Sequence, residues 1–309
     1  MSESATNATT AAAASSIIAN SPYHYIPTEG VCITFIVLFG LATAAFFFSA
    51  IRFRLWWLLP TACLAGIGEI VGWAGRLWSS LNYMNSNAFL AQITCTIIAP
   101  TPFLAACFII FSALSQRLGP AYSRLSPRWY SRIFLTCDII ALVIQGTGGG
   151  IASSADDDST QNLGSNIMLA GIVFQLVALS IFMSLMAEFY WRFLTTRPFG
   201  GVASNSSAST LYISRHWNTK LKLMSAALSF STVTLFIRSI YRVIELAGGW
   251  NGRIISTQVY FNVLDGAMVV LAMYSLAIIN PGYFLYRDAV EESDMLEKDT
   301  PTSTPRETY

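Results

Sequence analysis

The amino-acid sequence predicts an all-α, polytopic membrane protein with seven transmembrane helices. Its 309 residues are 54% hydrophobic and only 11% charged, far below the roughly 25% charged content of soluble domains. The chain also contains apolar runs of the ~20 residues that a helix needs to cross a bilayer core of about 30 Å. Strand-like alternation of polar and apolar residues is absent, which argues against an outer-membrane barrel.

Seven apolar runs are long enough to be spans. They cover residues 30–51, 55–80, 89–114, 133–153, 166–191, 223–246 and 257–284. We therefore predict a disordered extracellular tail at 1–28, a seven-helix membrane domain at 29–285 and a disordered acidic cytoplasmic tail at 286–309. Because residues 1–28 contain no Lys, Arg or separate apolar core, the first span is expected to insert as the anchor itself.

Glycines and prolines inside the spans predict local packing and bends. Pro60, Pro100 and Pro102 lie in spans two and three, where each removes a backbone donor and is expected to bend its helix. Gly68 and Gly72 have the four-residue spacing that allows two helices to approach closely.

The distribution of basic residues predicts the orientation. Of the 18 Lys and Arg residues, three lie within spans, fourteen fall on one side of the membrane and Arg253 alone falls in a loop on the other. Since basic loops stay in the cytosol, the N-terminus is expected outside and the C-terminus inside. Asp156, Asp157 and Asp158 would then form a solvated outer loop.

Several enzyme classes do not fit the sequence. The two histidines, His24 and His216, lie outside the spans, so the catalytic zinc site of seven-helix hydrolases is not expected. The last span has no lysine for a Schiff base, and no histidine is available in the bundle to activate a nucleophile. We therefore expect no enzyme, no metal or other cofactor, and no nucleic-acid partner.

Charged residues inside the spans are the main functional signal. Seven such residues facing lipid could cost on the order of 20 kcal/mol, so they must face the bundle interior, each other or water. They are Glu69, Arg76, Asp138, Arg238, Arg242, Glu245 and Asp265. Residues seven apart share a helix face, which aligns Glu69 with Arg76, Arg238 with Glu245, Asp138 with Gln145, and Gln258 with Asp265.

Two interpretations of these charges stay open at this point. Three arginines and three acids in the predicted outer half form either a charge-balanced cluster that holds helices two, six and seven together or a polar cavity open towards the outer leaflet. Asp138, nearer the cytoplasmic end, is protonated, bonded to a neighbouring helix or in contact with a cationic substrate. The candidate substrate-binding residues are Glu69, Arg76, Gln92, Asp138, Gln145, Gln175, Arg238, Arg242, Glu245 and Asp265.

Six segments carry a resemblance to a known family. They are GEIVGWAGRLWS at 68–79, IAP at 98–100, CDIIALVIQGTGGG at 137–150, AGIVFQ at 170–175, IRSIYRVIELAGGWNG at 237–252 and YFNVLDGAM at 260–268. In this order they resemble the fungal RTA-like family of seven-helix lipid-translocating exporters, most closely its sphingoid long-chain base resistance and transport members. The chain departs from the family pattern with Gln258, where a glutamate is usual, and with Asn280 in place of the histidine of His-Pro-Gly.

The resemblance implies a plasma-membrane protein that moves sphingoid bases or toxic amphiphiles towards the outer side. In that case Asp138 would bind the amine near the inner side, and Glu69 or Asp265 would bind it further out. Arg238 and Arg242 would keep the acids ionised. No nucleotide-binding motif is present, so export is expected to use a partner, a gradient or a downhill route. The alternative is a seven-helix receptor or membrane stress sensor that binds lipid without transporting it.

Overall fold

The computed structural model describes residues 25, 27–81, 86–155, 157–197, 219–248, 252, 254 and 256–287. Within these residues seven helices are long and apolar enough to cross a membrane, which confirms the predicted number, and none of the described residues forms a strand. The helices are α1 (Glu29–Arg52), α2 (Trp56–Leu81), α3 (Ala88–Leu118), α4 (Pro127–Ser153), α5 (Asp158–Leu194), α6 (Thr219–Ala247) and α7 (Gln258–Phe284). The two predicted tails lie almost entirely outside the described residues.

Two helices begin earlier than the hydropathy predicts. Helix α4 begins at Pro127 rather than 133, with proline at a position where its missing N–H costs nothing. Helix α5 begins at Asp158 rather than 166. Its first residues are polar, so a hydropathy window excludes them, but their backbone still forms helical hydrogen bonds.

The predicted solvated run of aspartates leads into α5, with Asp157 and Asp158 both exposed and Asp158 already helical. Asp157 caps α5, and its Oδ2 accepts a hydrogen bond from the Thr160 backbone N–H at 2.9 Å. This bond holds the pKa of Asp157 below its usual range. Asp158 is the first helical residue, where a negative charge favours the helix N-terminus. Asp156 lies outside the described residues.

Helix α3 lies at the centre of the bundle. Helices that are neighbours in sequence pack side by side, α7 returns to α1, and α3 also contacts α6. Accordingly, 78% of the spanning window of α3 is buried inside the bundle, against 22% for α1. The outer faces carry exposed apolar side chains such as Phe48 and Val143, as expected for surfaces in contact with lipid. A side chain on α3 can therefore meet partners from several helices at once.

Close helix contacts depend on two glycines. A Cβ on Gly72 would lie 2.6 Å from Thr96 Cγ2 on α3, and a Cβ on Gly148 would lie 2.5 Å from the Met168 backbone nitrogen on α5. Real Cβ contacts are longer than this, so only glycine permits these approaches. The predicted close approach at Gly72 is thus confirmed, and it brings Thr96 against α2.

The predicted proline effects are visible as helix irregularities. Helix α2 begins with a 3₁₀ turn and a π-helical turn that contains Pro60. Helix α3 is interrupted at Ala99, between the α-helical segments Ser86–Ile98 and Pro100–Leu118. A third irregularity, the π-helical segment Phe261–Ala267 of α7, includes Asp265. Local widenings of this kind recur at functional sites.

Candidate functional site

Arg242 is the hub of a buried charged cluster that joins α3, α6 and α7. Its Nε and Nη2 donate to the two carboxylate oxygens of Asp265 at 2.8 and 2.7 Å, a bidentate geometry that suits the planar guanidinium. Its Nη1 donates to Glu245 Oε2 at 2.7 Å, and Nη2 also donates to Thr96 Oγ1 at 2.8 Å. Tyr241 completes the cluster by donating its hydroxyl hydrogen to Glu245 Oε1 at 2.9 Å.

Arg238 connects this cluster to the interruption of α3. Its Nε lies 2.9 Å from Asp265 Oδ1, an ion pair whose geometry is not that of a hydrogen bond. Its Nη2 donates to the backbone carbonyl of Thr96. That carbonyl would normally accept the N–H of residue 100, but Pro100 has none. The guanidinium of Arg238 therefore satisfies the acceptor that the proline leaves free.

Glu69 is the exception among the clustered acids. It is 0% exposed, and neither carboxylate oxygen accepts a hydrogen bond from any described residue. It interacts electrostatically with Asp265, Arg238 and Arg242, so it lies beside the cluster without joining its hydrogen bonds. One helical turn further along α2, the buried indole N–H of Trp73 lies near the Glu69 carboxyl group, but the two do not form a hydrogen bond of good geometry.

Arg76 lies among aromatic rings next to the cluster. Its Nη2 donates to the Tyr25 hydroxyl at 2.6 Å, and its guanidinium carbon lies 4.3 Å from the centre of the Phe261 ring. Together with Gln92 and Glu245 these residues line a cavity of about 10 Å³, enough for roughly one water molecule. Gln92 thus lies beside the cluster, in the cavity that Arg76 and Glu245 also line.

Asp138, Gln145 and Gln175 form a second polar site among α3, α4 and α5. Gln145 Nε2 donates to Gln175 Oε1 and Gln175 Nε2 donates to Thr101 Oγ1, both at 3.0 Å. The carboxyl group of Asp138 interacts with the Gln175 side chain, whereas its Oδ2 accepts no hydrogen bond from the described residues. Because α4 begins at Pro127, Asp138 lies eleven residues into the helix, about 16 Å along its axis. The start of the helix thus lies further from Asp138 than the start of the predicted span at residue 133.

The charged cluster is closed in this structure. The four charged residues that pair with one another and the two charged neighbours of the cluster are between 0 and 6% exposed: Arg238, Arg242, Glu245 and Asp265 in the cluster, and Glu69 and Arg76 beside it. For Arg238, Arg242, Glu245 and Asp265, which pair with one another, the geometry favours a charge-balanced scaffold over a cavity open to the outer leaflet. Glu69 fits neither the scaffold nor the open cavity, because it is fully buried and accepts no hydrogen bond from the described residues.

Sequence reasoning missed several residues of these networks, among them Thr101, Tyr241, Thr96 and Tyr25, and it also missed an ion-pair group elsewhere on α5. Tyr241 could have been found from its position four residues before Glu245, the i, i+4 spacing of contacting side chains. Thr96 could have been found from the proline four residues later. Tyr25 precedes the first span and offered no pattern. Glu188 pairs with Arg124 and Arg192 at the far end of α5, each at 2.7 Å, and Arg192 four residues later was the signal for it.

Comparison with known proteins assigns the chain to a family. Residues 62–288 match the family described as "RTA1 like protein", which is most of the membrane domain and includes every residue of the charged cluster. The chain belongs to the RTA1-like family. This confirms the resemblance drawn from the six sequence segments, and it agrees with a multi-pass membrane protein.

Three proteins from Saccharomyces cerevisiae are similar to this chain. The sphingoid long-chain base transporter RSB1 is 30% identical, with 84% of this chain and 72% of that protein aligned. Protein RTM1 is 29% identical over 67% of this chain and 62% of its own length. Protoporphyrin uptake protein 1 is 24% identical over 83% and 90%. No solved structure matches the chain. The family relation supports a general function in lipid transport.

Proposed function

We propose that this RTA1-like protein translocates sphingoid long-chain bases or related single-chain amphiphiles towards the outer side of the plasma membrane. The similarity to the sphingoid long-chain base transporter RSB1 supports the substrate class. The outward direction and the plasma membrane come from the resemblance to the exporter family. One observation carries the proposal for this chain's own residues, namely the buried and unpaired carboxylate of Glu69.

The chemistry of a sphingoid base suits that carboxylate. The head of the lipid carries an ammonium group and hydroxyls, and its N–H donors would form the hydrogen bonds that the Glu69 carboxyl group does not make with the described residues. A buried polar group without a hydrogen-bond partner costs about 1–3 kcal/mol of stability, and more when charged. Binding an ammonium group would therefore offset a free-energy cost that is present in the lipid-free protein. A lipid hydroxyl would in turn accept the indole N–H of Trp73.

The paired residues act as the scaffold of this site in the proposal. Asp265 and Glu245 already accept hydrogen bonds from Arg242, so breaking their bonds to bind a lipid would leave buried charges unpaired. Arg238 and Arg242 pair with these acids and fix α6 and α7 beside Glu69. Asp138, across α3 and also with an unpaired oxygen, is a second position at which the amine binds, further from the charged cluster.

Reconstitution into liposomes tests the proposed function. The experiment follows a fluorescent sphingoid base with the wild type, with Glu69→Gln and with the control Glu188→Gln, whose side chain is paired and lies at the far end of α5. A hydrogen bond to a charged group contributes about 1.5–3 kcal/mol, so we expect Glu69→Gln to slow translocation by roughly ten- to a hundred-fold. The thermal midpoint of Glu69→Gln should not fall, because the change replaces a buried carboxyl group that accepts no hydrogen bond from the described residues.

Two results would contradict the proposal. Translocation by Glu69→Gln at the wild-type rate would remove Glu69 from the pathway. Binding of the base by the wild type without any translocation would instead favour the receptor or sensor.

A further inference from the structure

Helices α6 and α7 are close together along one half and separate along the other. In the close half, the Ser231 hydroxyl donates to the Ala272 carbonyl at 2.6 Å and lies 2.8 Å from the Ser275 hydroxyl. In the other half, the long side chains of Arg238 and Arg242 reach across to Asp265. Small side chains thus hold the helices together in the first half, whereas long side chains connect them in the second half. In the second half this leaves space between the two helices.

An apolar groove of about 600 Å³ occupies this space. It is within the range of about 300–1,000 Å³ typical of ligand pockets. Its walls are Ile237, Ile240 and Ile244 on α6 and Tyr260 and Leu264 on α7. Ile244 and Tyr260 are 48% and 44% exposed, so the groove opens sideways, towards the lipid that surrounds the bundle.

Tyr241 connects the apolar groove to the polar interior. Its side chain lines the groove, and its hydroxyl donates to Glu245 at 2.9 Å. Glu245 in turn lines the small cavity that holds Arg76 and Gln92. The hydrogen-bonded pair of Tyr241 and Glu245 is therefore the wall between a space for a hydrocarbon chain and a space lined by charged groups.

We propose that the groove between α6 and α7 binds the tail of a single-chain lipid with a cationic head, which enters or leaves the bundle sideways past Tyr241. This inference rests on the proposed function and extends it from the head to the tail and the route. Hydrogen-bond complementarity identifies the occupant, since the Tyr241 hydroxyl at the polar end of the groove already donates its hydrogen to Glu245 and is left as an acceptor. An ammonium head supplies the N–H donors that this oxygen accepts, whereas a carboxylate head has no donor to offer.

Photolabelling in liposomes tests the occupant directly. The probe is a sphingoid base with a photoreactive diazirine on its tail, and the labelled peptides are mapped by mass spectrometry. We expect labelling of residues 237–244 and 260–264 that excess unlabelled sphingoid base removes and a fatty acid of the same length does not. Labelling that neither competitor removes would identify ordinary surrounding lipid and overturn the proposal, as would equal competition by the fatty acid.

A groove-filling variant provides a second measurement. Ile244→Trp fills the groove, and Val143→Trp places the same side chain on the exposed face of α4. We expect Ile244→Trp to slow translocation of a long-chain base by about ten-fold, which is about 1.4 kcal/mol, with a smaller effect on a short-chain analogue. Val143→Trp should behave as the wild type.

The outcomes separate this proposal from the proposed function. Equal behaviour of Ile244→Trp and Val143→Trp, with translocation still dependent on Glu69, would reject the groove and leave the transporter. Specific labelling of the groove in a protein that moves no lipid would reject the transporter and leave the tail site.

Discussion

At the scale of single residues, the position of Arg242 explains how charges are accommodated inside a membrane span. A guanidinium presents several N–H donors in a fixed plane, so one side chain satisfies Asp265, Glu245 and Thr96 together. A lysine ammonium in its place would be a single point charge without the planar fork. The cost of burying two acids is therefore offset by one residue on α6.

Loss of this hub is expected to be strongly destabilising. Arg242→Met removes the donor that two buried carboxylates share and leaves Asp265 with only its ion pair to Arg238 and Glu245 with only the Tyr241 hydroxyl, which should cost about 3–5 kcal/mol of stability. The matched control is Arg124→Met, because Arg124 also pairs with an acid at 2.7 Å but is 53% exposed, where ion pairs contribute about 1 kcal/mol or less. Thermal unfolding in detergent should show a large drop in midpoint for Arg242→Met alone. Similar midpoints for the two variants would contradict the role of Arg242 as the hub.

At the scale of helices, the interruption of α3 is part of the cluster. Pro100 leaves the Thr96 carbonyl free, and Arg238 binds it from α6. Pro100→Ala would restore an N–H that competes for this carbonyl, so Arg238→Met should cost less in the Pro100→Ala background than in the wild type. A double-mutant cycle on thermal stability should give a coupling of about 0.5–3 kcal/mol.

Pro102 provides the control for this cycle. It is in the same helix, but the carbonyl four residues before it is that of Ile98, whereas Arg238 binds the carbonyl of Thr96. A cycle between Pro102→Ala and Arg238→Met should therefore show little coupling. Equal coupling for the two prolines would mean that the variants act through general changes in α3.

The glycine-rich end of α4 packs against α5, and Gly148 is the position that determines how closely the two helices approach. A Cβ on Gly148 would lie 2.5 Å from the α5 backbone, whereas a Cβ on Gly146 would meet nothing within 4 Å. Gly148→Ala must therefore push α4 and α5 apart, at a cost of about 1–3 kcal/mol. Gly146→Ala should leave the thermal midpoint equal or higher, since alanine favours helix. A reversed order of the two midpoints would show that α4 and α5 are not packed as described.

The two departures from the family pattern have structural explanations in α7. The Asn280 side-chain amide donates to the Ser49 hydroxyl on α1, and its Oδ1 accepts the Gly282 backbone N–H at 2.9 Å. The uncharged side chain of Asn280 thus fixes the backbone next to Pro281 through hydrogen bonds that do not depend on a titrating group. Gln258 lies at the start of α7, where its Oε1 accepts a hydrogen bond from Thr28 at 3.3 Å, outside the hydrogen bonds of the charged cluster.

At the scale of the whole molecule, the orientation in the membrane is a prediction from charge alone. Fourteen basic residues on one side against one on the other predict an N-terminus outside and a C-terminus in the cytosol. An epitope at the N-terminus should therefore bind antibody on intact cells, whereas one at the C-terminus should bind only after permeabilisation. The opposite pattern would place the groove and the charged cluster near the inner leaflet and reverse the proposed order of the two polar sites.

Much of the fold was predictable because a bilayer imposes a simple rule on sequence. Each span must be apolar and about 20 residues long, so the number of helices follows from hydropathy. The starts of α4 and α5 were predicted too late, since helices continue past the apolar core through residues such as Asp158. The site was predictable as a set of residue types, because charges within spans are costly and must be inside the bundle.

The sequence by itself determined that this chain has seven apolar helices, that charged residues lie within them and that it resembles the RTA-like family. Only the tertiary structure decided which charges pair. Helical spacing places residues on a face of their own helix, whereas pairing depends on the distance between helices, which glycines, prolines and π-helical turns set. For this reason Arg238, Arg242, Glu245 and Asp265 form a closed scaffold, while Glu69, an acid of the same type in the same cluster, keeps a carboxylate without a partner.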